Sequence, residues 1–384
     1  MRMESAKQVE TISLPLVNLK TLYDCDESEC QKLLDACRNE GIFYLNIASA
    51  DRRIRAIVKD IDTLNHEIFK LPIHELMRYD VDKLSPEWKL NGYKPVGRNR
   101  GGLSDGKDGF ESYNIPKDGI LSLDDLEWKR PALVDKYLYA LRIYCGAISD
   151  AAYTILSTLS RLLEIPMDAP SLQDLHRSCE VATPDPLRLL RYHALSPSEK
   201  RVSHIEHTDL GSLTFLWSKQ RGLQIQRDKE WHFVQPPPMG IVIVNVGDCL
   251  SMLTNGYFKS CSHRVVPDPG LEHVERYSFA YLMRPEGKTP MKPIRSLLLG
   301  TEAPEDQTMM KPRQSLLLGT VGPKGNISMK PVHLLGTRHP EDDKGKVMTS
   351  EEWLQMKFSM LRGDTWNSEK DWILTGVKEV QTTR

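Results

Sequence analysis

Residues 207–266 contain a series of short apolar runs separated by turn-forming residues: HTDLGSLTFLW (207–217), GLQIQ (222–226), EWHFV (230–234), IVIVNV (241–246) and TNGYFKSCSHRVV (254–266). Runs of this length, rich in β-branched and aromatic residues, are typical of β-strands. Asn255-Gly256 is a strong hairpin signal and predicts a strand over 257–266. The segment therefore predicts a mainly β protein with helical decoration (α+β), built on a small antiparallel barrel or a double-stranded β-helix (jelly roll).

Three residues of this segment have the chemistry of a metal site: His207, Asp209 and His263. Residues i and i+2 of a strand point to the same side, so His207 and Asp209 are expected to face one cavity, which His263 reaches from a second strand. Two imidazoles and one carboxylate form a facial cap for Fe(II) that leaves coordination positions for O2 and an organic co-ligand. A purely structural role is disfavoured, because the same groups without a metal would form a costly buried polar cluster.

Arg276 and Ser278 repeat the i, i+2 spacing on the strand that follows. A guanidinium group offers a planar fork of donors that matches a carboxylate, and the neighbouring hydroxyl adds another donor. The pair is therefore predicted to bind the distal carboxylate of a dicarboxylate such as 2-oxoglutarate, whose 2-oxo acid end would chelate the iron.

The order of these motifs resembles the isopenicillin-N-synthase-like branch of the Fe(II)/2-oxoglutarate-dependent oxygenase superfamily. The likeness covers HTD, GLQI, TNGYFKSCSHRV and RYS between Leu187 and Pro285, and extends to the N-terminal segments Leu14–Leu19 and Ala36–Leu45. One departure concerns the family's Asn-Tyr-Tyr-Pro segment, which corresponds here to Leu190–His193. Its second tyrosine is matched by Tyr192, whereas the asparagine position is Leu190, so the 2-oxo acid end is expected to be held differently.

The resemblance implies an Fe(II)- and 2-oxoglutarate-dependent dioxygenase that uses O2, with ascorbate as a candidate reductant. Its reaction would be hydroxylation, desaturation or ring rearrangement at an unactivated C–H bond of a small molecule, with a secondary-metabolite intermediate as the expected substrate. Tyr192, Leu223 and Val265 are expected to help hold and enclose 2-oxoglutarate. The candidate substrate residues are Phe110, Tyr113, Leu282 and Arg284.

Two alternatives stay open on the sequence. One is an iron oxidase of the same fold that uses no 2-oxo acid, because such relatives keep the arginine and serine pair. The other is a non-catalytic module that uses the barrel to bind a small ligand, against which the intact His-Asp-His set argues.

Composition limits the possible partners. The chain has 384 residues, 40% of them hydrophobic and 27% charged, with a formal net charge of −1. This balance gives no electrostatic footprint for nucleic acid or for an anionic membrane. Seven cysteines without a CxxC spacing, an N-terminus without an apolar signal core and the lack of a long apolar run predict a cytoplasmic protein.

The organisation is predicted as a single oxygenase domain over 1–384. It comprises an N-terminal strand and helix region (12–118), a jelly-roll core with the metal site (183–286), a repeat-containing insertion (287–346) and a C-terminal helix and tail (347–384). Helices are expected over 27–38, 49–69 and 131–165, an extended loop over 91–118, and a final helix from the capping box at 349–352 to about 363. The insertion repeats Met-Lys-Pro at 291, 310 and 329; we interpret it as mobile or a gene-model artefact, with a lid or docking segment as the alternative.

Overall fold

The computed structural model describes residues 9–87, 89–98, 108–124, 127–194, 203–301, 340 and 346–360. Its strands are β1 (Thr11–Ile12), β2 (Leu16–Asn18), β3 (Ile42–Asn46), β4 (Gly92–Lys94), β5 (Phe110–Pro116), β6 (Pro186–Tyr192), β7 (His204–His207), β8 (Leu213–Ser218), β9 (Leu223–Arg227), β10 (Glu230–Val234), β11 (Ile241–Val246), β12 (His263–Val265) and β13 (Arg276–Met283). Its α-helices are α1 (Leu19–Tyr23), α2 (Glu27–Asp35), α3 (Ile54–Ile68), α4 (Ile73–Leu76), α5 (Val81–Leu84), α6 (Lys117–Leu121), α7 (Ala132–Asp135), α8 (Leu138–Leu162), α9 (Asp248–Leu253) and α10 (Ser350–Met360).

The strands form two sheets that face each other. The larger sheet has the order β2-β3-β11-β8-β13-β6-β5-β4, and the smaller one has the order β1-β10-β9-β12-β7. Apolar side chains of both sheets meet between them, for example Ile243 of β11 and Ile225 of β9 in one buried cluster. Most neighbouring strands are antiparallel, so the predicted jelly-roll fold with helical decoration is confirmed.

The outer face of the larger sheet is covered by helices. In α3 the apolar residues recur every three or four positions, from Ile54 through Ile57 and Ile61 to Ile68, and all four are buried. This spacing places one apolar stripe against the sheet and the long helix α8, which shares the same buried cluster. The sheet therefore has a helix-covered face and a second face directed at the cavity between the sheets.

Several element boundaries differ from the sequence-based expectations. The predicted loop over 91–118 contains β4 and β5, whose alternating side chains were not recognised between the Gly- and Asp-rich residues around them. The helix expected over 131–165 is two helices, α7 and α8, and the helix expected over 49–69 begins at Ile54. The helix predicted from Glu27 continues past α2 as a π-helical turn, Ala36–Glu40, and stops at Gly41 in a left-handed conformation.

The hairpin predicted at Asn255-Gly256 is wrong. Both residues do have positive φ, 53° and 74°, but they terminate helix α9, where the Gly256 N–H donates to the Ser251 carbonyl at 2.7 Å. A residue with positive φ at a helix C-terminus lets the N–H groups that follow donate to the last carbonyls of the helix. Positive φ at Asn-Gly therefore fits the end of a helix as well as a hairpin turn. The strand expected over 257–266 is consequently short, His263–Val265.

The predicted segments contribute jointly to the fold. Strands β1 to β5 come from the N-terminal part of the chain, and three of them, β1, β3 and β5, pair with β10, β11 and β6 of 183–286, so both regions build the two sheets. The Met-Lys-Pro copies at 310 and 329 and the end of the final helix lie outside the described residues. The capping box is present, since the backbone N–H of Thr349 donates to Glu352 and that of Glu352 to Thr349. Within the described residues, no helix is long and apolar enough to cross a membrane.

Candidate active site

His207, Asp209 and His263 converge between the two sheets. His207 ends β7 and lies opposite His263, the first residue of β12, in the antiparallel register. Oδ1 of Asp209 lies 3.8 Å from Nε2 of His207 and 4.0 Å from Nε2 of His263. One ligand atom from each residue lies within 4.8 Å of the other two. Because metal–ligand bonds to such groups are about 2 Å long, one ion fits between them.

The backbone fixes the tautomer of both histidines. Nδ1 of His207 lies 2.8 Å from the carbonyl of Ile205, and Nδ1 of His263 lies 3.0 Å from the carbonyl of Cys261. A carbonyl only accepts, so each Nδ1 carries the proton and donates, which leaves the Nε2 lone pair free for a metal. Burial, together with the neighbouring His263, lowers the pKa of His207 to about 4, so this imidazole is neutral at physiological pH.

Asp209 is held by a side chain and by a backbone turn. Nδ2 of Asn245, on β11, donates to its Oδ2 at 2.9 Å, and the N–H of Asp248 donates to its carbonyl at 2.8 Å. The turn packs so closely on Gly247 that a Cβ there would lie 2.8 Å from the Asp209 carbonyl oxygen. Burial alone would raise the pKa of Asp209, but the adjacent imidazoles and Asn245 lower it to about 2. The carboxylate is therefore charged and oriented without a metal.

Arg276 is a buried cation at the start of β13, where it pairs with Tyr192 of β6. Its Nη2 donates to Ser218 at 2.9 Å, its Nη1 donates to Ser278 at 3.3 Å, and the guanidinium lies 5.0 Å from the ring centre of Tyr192. Its Nε is buried without a hydrogen-bond partner, and no carboxylate within the described part of the chain pairs with it. A cavity of about 260 Å³ opens beside Arg276 and Tyr192. This environment suits an anionic ligand.

Leu223 and Val265 lie directly opposite each other on β9 and β12. Both are buried, and Val265 packs in one apolar cluster with Phe110, Leu190 and Tyr192. Since His263 lies two residues before Val265 and Arg276 pairs with Tyr192 in the larger sheet, this apolar wall lies between the His-Asp-His set and the guanidinium.

Gly222 sets the space around Arg276. Its φ is +143°, and a Cβ at this position would lie 2.9 Å from Cδ and Nε of Arg276. We expect Gly222→Ala to displace the guanidinium. The 2-oxoglutarate concentration needed for half-maximal binding should then rise by about tenfold, which corresponds to a loss of about 1.4 kcal/mol of binding free energy. Gly270→Ala is the matched control, because Gly270 also has positive φ (+84°) but has nothing within 4 Å of its Cβ position. Equal effects of the two substitutions would contradict this role of Gly222.

The substrate residues predicted on β5 lie on opposite faces of the larger sheet. Phe110 faces the cavity, where its ring centre lies 4.5 Å from that of His204 and 5.7 Å from that of Tyr192. Tyr113 is fully buried in the core under the helices, because odd and even residues of a strand point in opposite directions. The prediction that Tyr113 contacts substrate is therefore corrected.

Leu282 and Arg284 have different surroundings. Leu282 lies opposite Thr214 on β8, and Thr214 lies opposite Asn245 on β11. Leu282 is therefore in the same row across the sheet as Asn245, which orients Asp209. Arg284 donates to the Pro184 carbonyl and lies 5.0 Å from the ring centre of Phe358 in α10. Burial lowers the pKa of Arg284 to about 10. Its guanidinium is thus a charged part of the wall and is held by protein groups.

Three residues near the site were not predicted from the sequence. Asn245 is the single polar residue of the IVIVNV run, a signal that could have found it. Arg188 shares the strand parity of Tyr192 on β6 and directs its Nε to Asn114 at 3.1 Å. His204 lies on β7, and its ring centre is 4.1 Å from that of His207 with the two rings tilted by 31°.

The jelly-roll fold and the His-Asp-His set define a non-haem iron oxygenase. Two sequence profiles agree: the 2OG-Fe(II) oxygenase superfamily matches residues 184–285, and the non-haem dioxygenase in morphine synthesis N-terminal region matches residues 14–129. The chain belongs to the 2-oxoglutarate-dependent dioxygenases of this superfamily.

Similar proteins support this membership. A 2-oxoglutarate-dependent dioxygenase of Gibberella zeae is 32% identical over 74% of this chain and 83% of the relative. One of Dothideomycetidae sp. is 32% identical over 76% and 88%, respectively. Among solved structures, JOX2 in complex with 2OG, Fe and JA has a TM-score of 0.59 at 22% identity, covering 76% of this chain and 80% of that one. This last likeness concerns the fold alone.

Proposed function

We propose that this dioxygenase couples the oxidative decarboxylation of 2-oxoglutarate to the oxidation of an unactivated C–H bond in a small organic molecule. The observation that carries the proposal is Arg276, a buried guanidinium that pairs with no carboxylate among the described residues. It lies across the Leu223 and Val265 wall from the set formed by His207, Asp209 and His263. Bound Fe(II) and 2-oxoglutarate supply the oxidation by O2, with succinate and CO2 as the co-products.

The residues present fit Fe(II). Two imidazoles with free Nε2 atoms and one ionised carboxylate are the donor set of non-haem Fe(II) sites. We assign His207, Asp209 and His263 as the ligands. Asn245 donates a hydrogen bond to the second carboxylate oxygen of Asp209. Such supporting hydrogen bonds preserve the orientation of a metal ligand.

The residues around Arg276 fit the distal carboxylate of 2-oxoglutarate. The serine hydroxyls at 218 and 278 hold the guanidinium in place, and Tyr192 packs against it. Leu223 and Val265 form an apolar wall that excludes water from the cavity, which protects the oxidation from side reactions.

The relatives and the metal residues weigh against the two alternatives. The relatives that match over most of their length are 2-oxoglutarate-dependent dioxygenases, which favours a 2-oxo acid as co-substrate over the oxidase. A ligand-binding module would have no use for the charged, oriented Asp209 carboxylate.

The substrate class and compartment are further parts of the proposal. Phe110 and Leu282 line the cavity beside the metal residues, and an apolar secondary-metabolite intermediate suits them. The proposed reaction at the C–H bond is hydroxylation, desaturation or ring rearrangement. All seven cysteines are free thiols, which supports a reducing compartment such as the cytoplasm. Ascorbate as reductant stays a prediction.

The test adds Fe(II) and then 2-oxoglutarate to metal-free protein under anaerobic conditions. We expect a visible iron-to-oxo-acid charge-transfer band and, once oxygen and a substrate are supplied, succinate in equal amount to the product. Iron binding without the band would favour the oxidase. Failure to bind iron would favour the ligand-binding module.

A further inference from the structure

The cavity-facing side of the larger sheet carries a second arginine. Arg188 lies on β6 between Asn114 of β5 and Ala280 of β13, which are its partners in the antiparallel register. It shares strand parity with Leu190 and Tyr192, whose side chains pack with Val265 of the smaller sheet in one buried cluster. Arg188 therefore projects from the same face as the groups around Arg276, four residues further along the strand, which corresponds to about 13 Å.

The two arginines of β6, Arg188 and Arg191, differ in their ion pairs. Arg191, on the opposite face, pairs with Glu275 at 2.8 Å and with Glu111 at 3.3 Å. Arg188 donates from Nε to Asn114 at 3.1 Å, and no carboxylate in the described ranges forms an ion pair with it. Its side chain is only partly exposed. The terminal amino groups of Arg188 thus keep their donors for a ligand.

The charges near Arg188 favour an anion. Burial lowers the pKa of Arg188. It lowers the pKa of the adjacent Arg284 to about 10, so Arg284 is charged at neutral pH. The carboxylate of Asp209 acts on Arg188 electrostatically, but it is committed to the His-Asp-His set. A buried cation without a partner costs free energy that a bound carboxylate would offset.

We propose that Arg188, oriented by Asn114, binds a carboxylate of the substrate, so that the enzyme acts on small organic acids. The inference rests on the proposed function, since it assumes that substrate occupies the cavity beside the metal residues. A guanidinium fork binds a planar carboxylate in a bidentate manner. Arg188 is placed to fix the acid group while Phe110 and Leu282 contact the apolar part of the molecule.

The experiment compares organic acids with their primary amides. The anaerobic complex with Fe(II) and 2-oxoglutarate is titrated with phenylacetate and phenylacetamide, cinnamate and cinnamamide, and octanoate and octanamide, with tryptophan fluorescence as the readout. We expect at least one acid to bind more tightly than its amide. Arg188→Gln should weaken the binding of that acid by at least about tenfold, which corresponds to the loss of one charge-assisted hydrogen bond. The binding of its amide should be unchanged.

Two further variants separate charge from geometry. Arg188→Lys keeps the charge without the fork, and we expect intermediate binding of the acid. Arg191→Gln removes a charge from the same strand on the opposite face, and the preference for the acid should persist. Acids that bind no better than amides, or an Arg188→Gln variant that binds them normally, would overturn the proposal. So would weaker binding of 2-oxoglutarate itself in Arg188→Gln, because Arg188 would then hold the co-substrate.

The same titrations distinguish this inference from the proposed function. The charge-transfer band with 2-oxoglutarate should appear in the wild type and in all three variants. Absence of the band in the wild type would refute the co-substrate site. The preference for acids would then be measured on metal-free protein, where its loss in Arg188→Gln still supports the carboxylate site and its retention refutes it.

Discussion

Asp209→Ala is expected to abolish Fe(II) binding at micromolar concentrations and to reduce turnover by at least about a thousandfold, the upper range for loss of a single stabilising group at an active site. Asp209 is the only carboxylate among the described residues that lies within bonding range of both His207 and His263. Without it, two imidazoles would bind the ion through nitrogen alone and leave its charge uncompensated.

Metal-dependent thermal stability measures the effect without a substrate. A ligand that binds only the folded state raises the melting temperature, so Mn(II) or anaerobic Fe(II) should stabilise the wild type and leave Asp209→Ala unchanged. Asp168→Ala is the control, because Asp168 is an exposed carboxylate paired only with Arg295. The metal content of Asp209→Ala is measured together with its turnover. Normal turnover of this variant would contradict the assignment of the ligands.

The metal set was predictable from the sequence because its geometry is local. His207 and Asp209 share a strand face by their spacing alone, and the family likeness identified His263 as the third member. The structure adds what spacing cannot specify, namely the Ile205 and Cys261 carbonyls that fix the tautomers. Those contacts depend on backbone torsions at each strand end, which leave no residue signature.

The errors have a common physical origin in strand and turn assignment. Because 91–118 was interpreted as a loop, alternation could not be applied to β5, and Phe110 and Tyr113 were grouped together. Once Phe110–Pro116 is a strand, parity alone separates them. Asn255-Gly256 was misassigned because positive φ serves both hairpins and helix ends, and only the preceding α9 residues decide which one forms.

Arg188 could not have been predicted from sequence as a binding residue. Its parity with Tyr192 indicates which face it occupies, but the contrast with Arg191 depends on which carboxylates lie nearby. Glu111 and Glu275 come from distant parts of the chain and both lie on the outer face. The pairing of charges is thus a property of the assembled sheets.

Arg276→Gln is expected to raise the 2-oxoglutarate concentration needed for half-maximal turnover by about a hundredfold. Removing one partner of a buried charge pair costs about 3 kcal/mol, and that free energy corresponds to this factor. Gln retains a donor for Ser218 or Ser278 but has no charge for the distal carboxylate. Arg264→Gln is the control, since Arg264 lies over Trp231 and donates to Gln224 instead.

A matched pair of co-substrates distinguishes anchoring by Arg276 from a merely structural role. 2-Oxovalerate has the 2-oxo acid end and the chain length of 2-oxoglutarate but lacks the distal carboxylate. The wild type should strongly prefer 2-oxoglutarate, and Arg276→Gln should bring the two half-saturating concentrations to within about a factor of ten, because the variant has lost the charge that discriminates them. A structural defect would weaken the binding of both compounds equally and would preserve the preference for 2-oxoglutarate. Undiminished discrimination in Arg276→Gln would reject the role of this residue and assign the distal carboxylate to another cation.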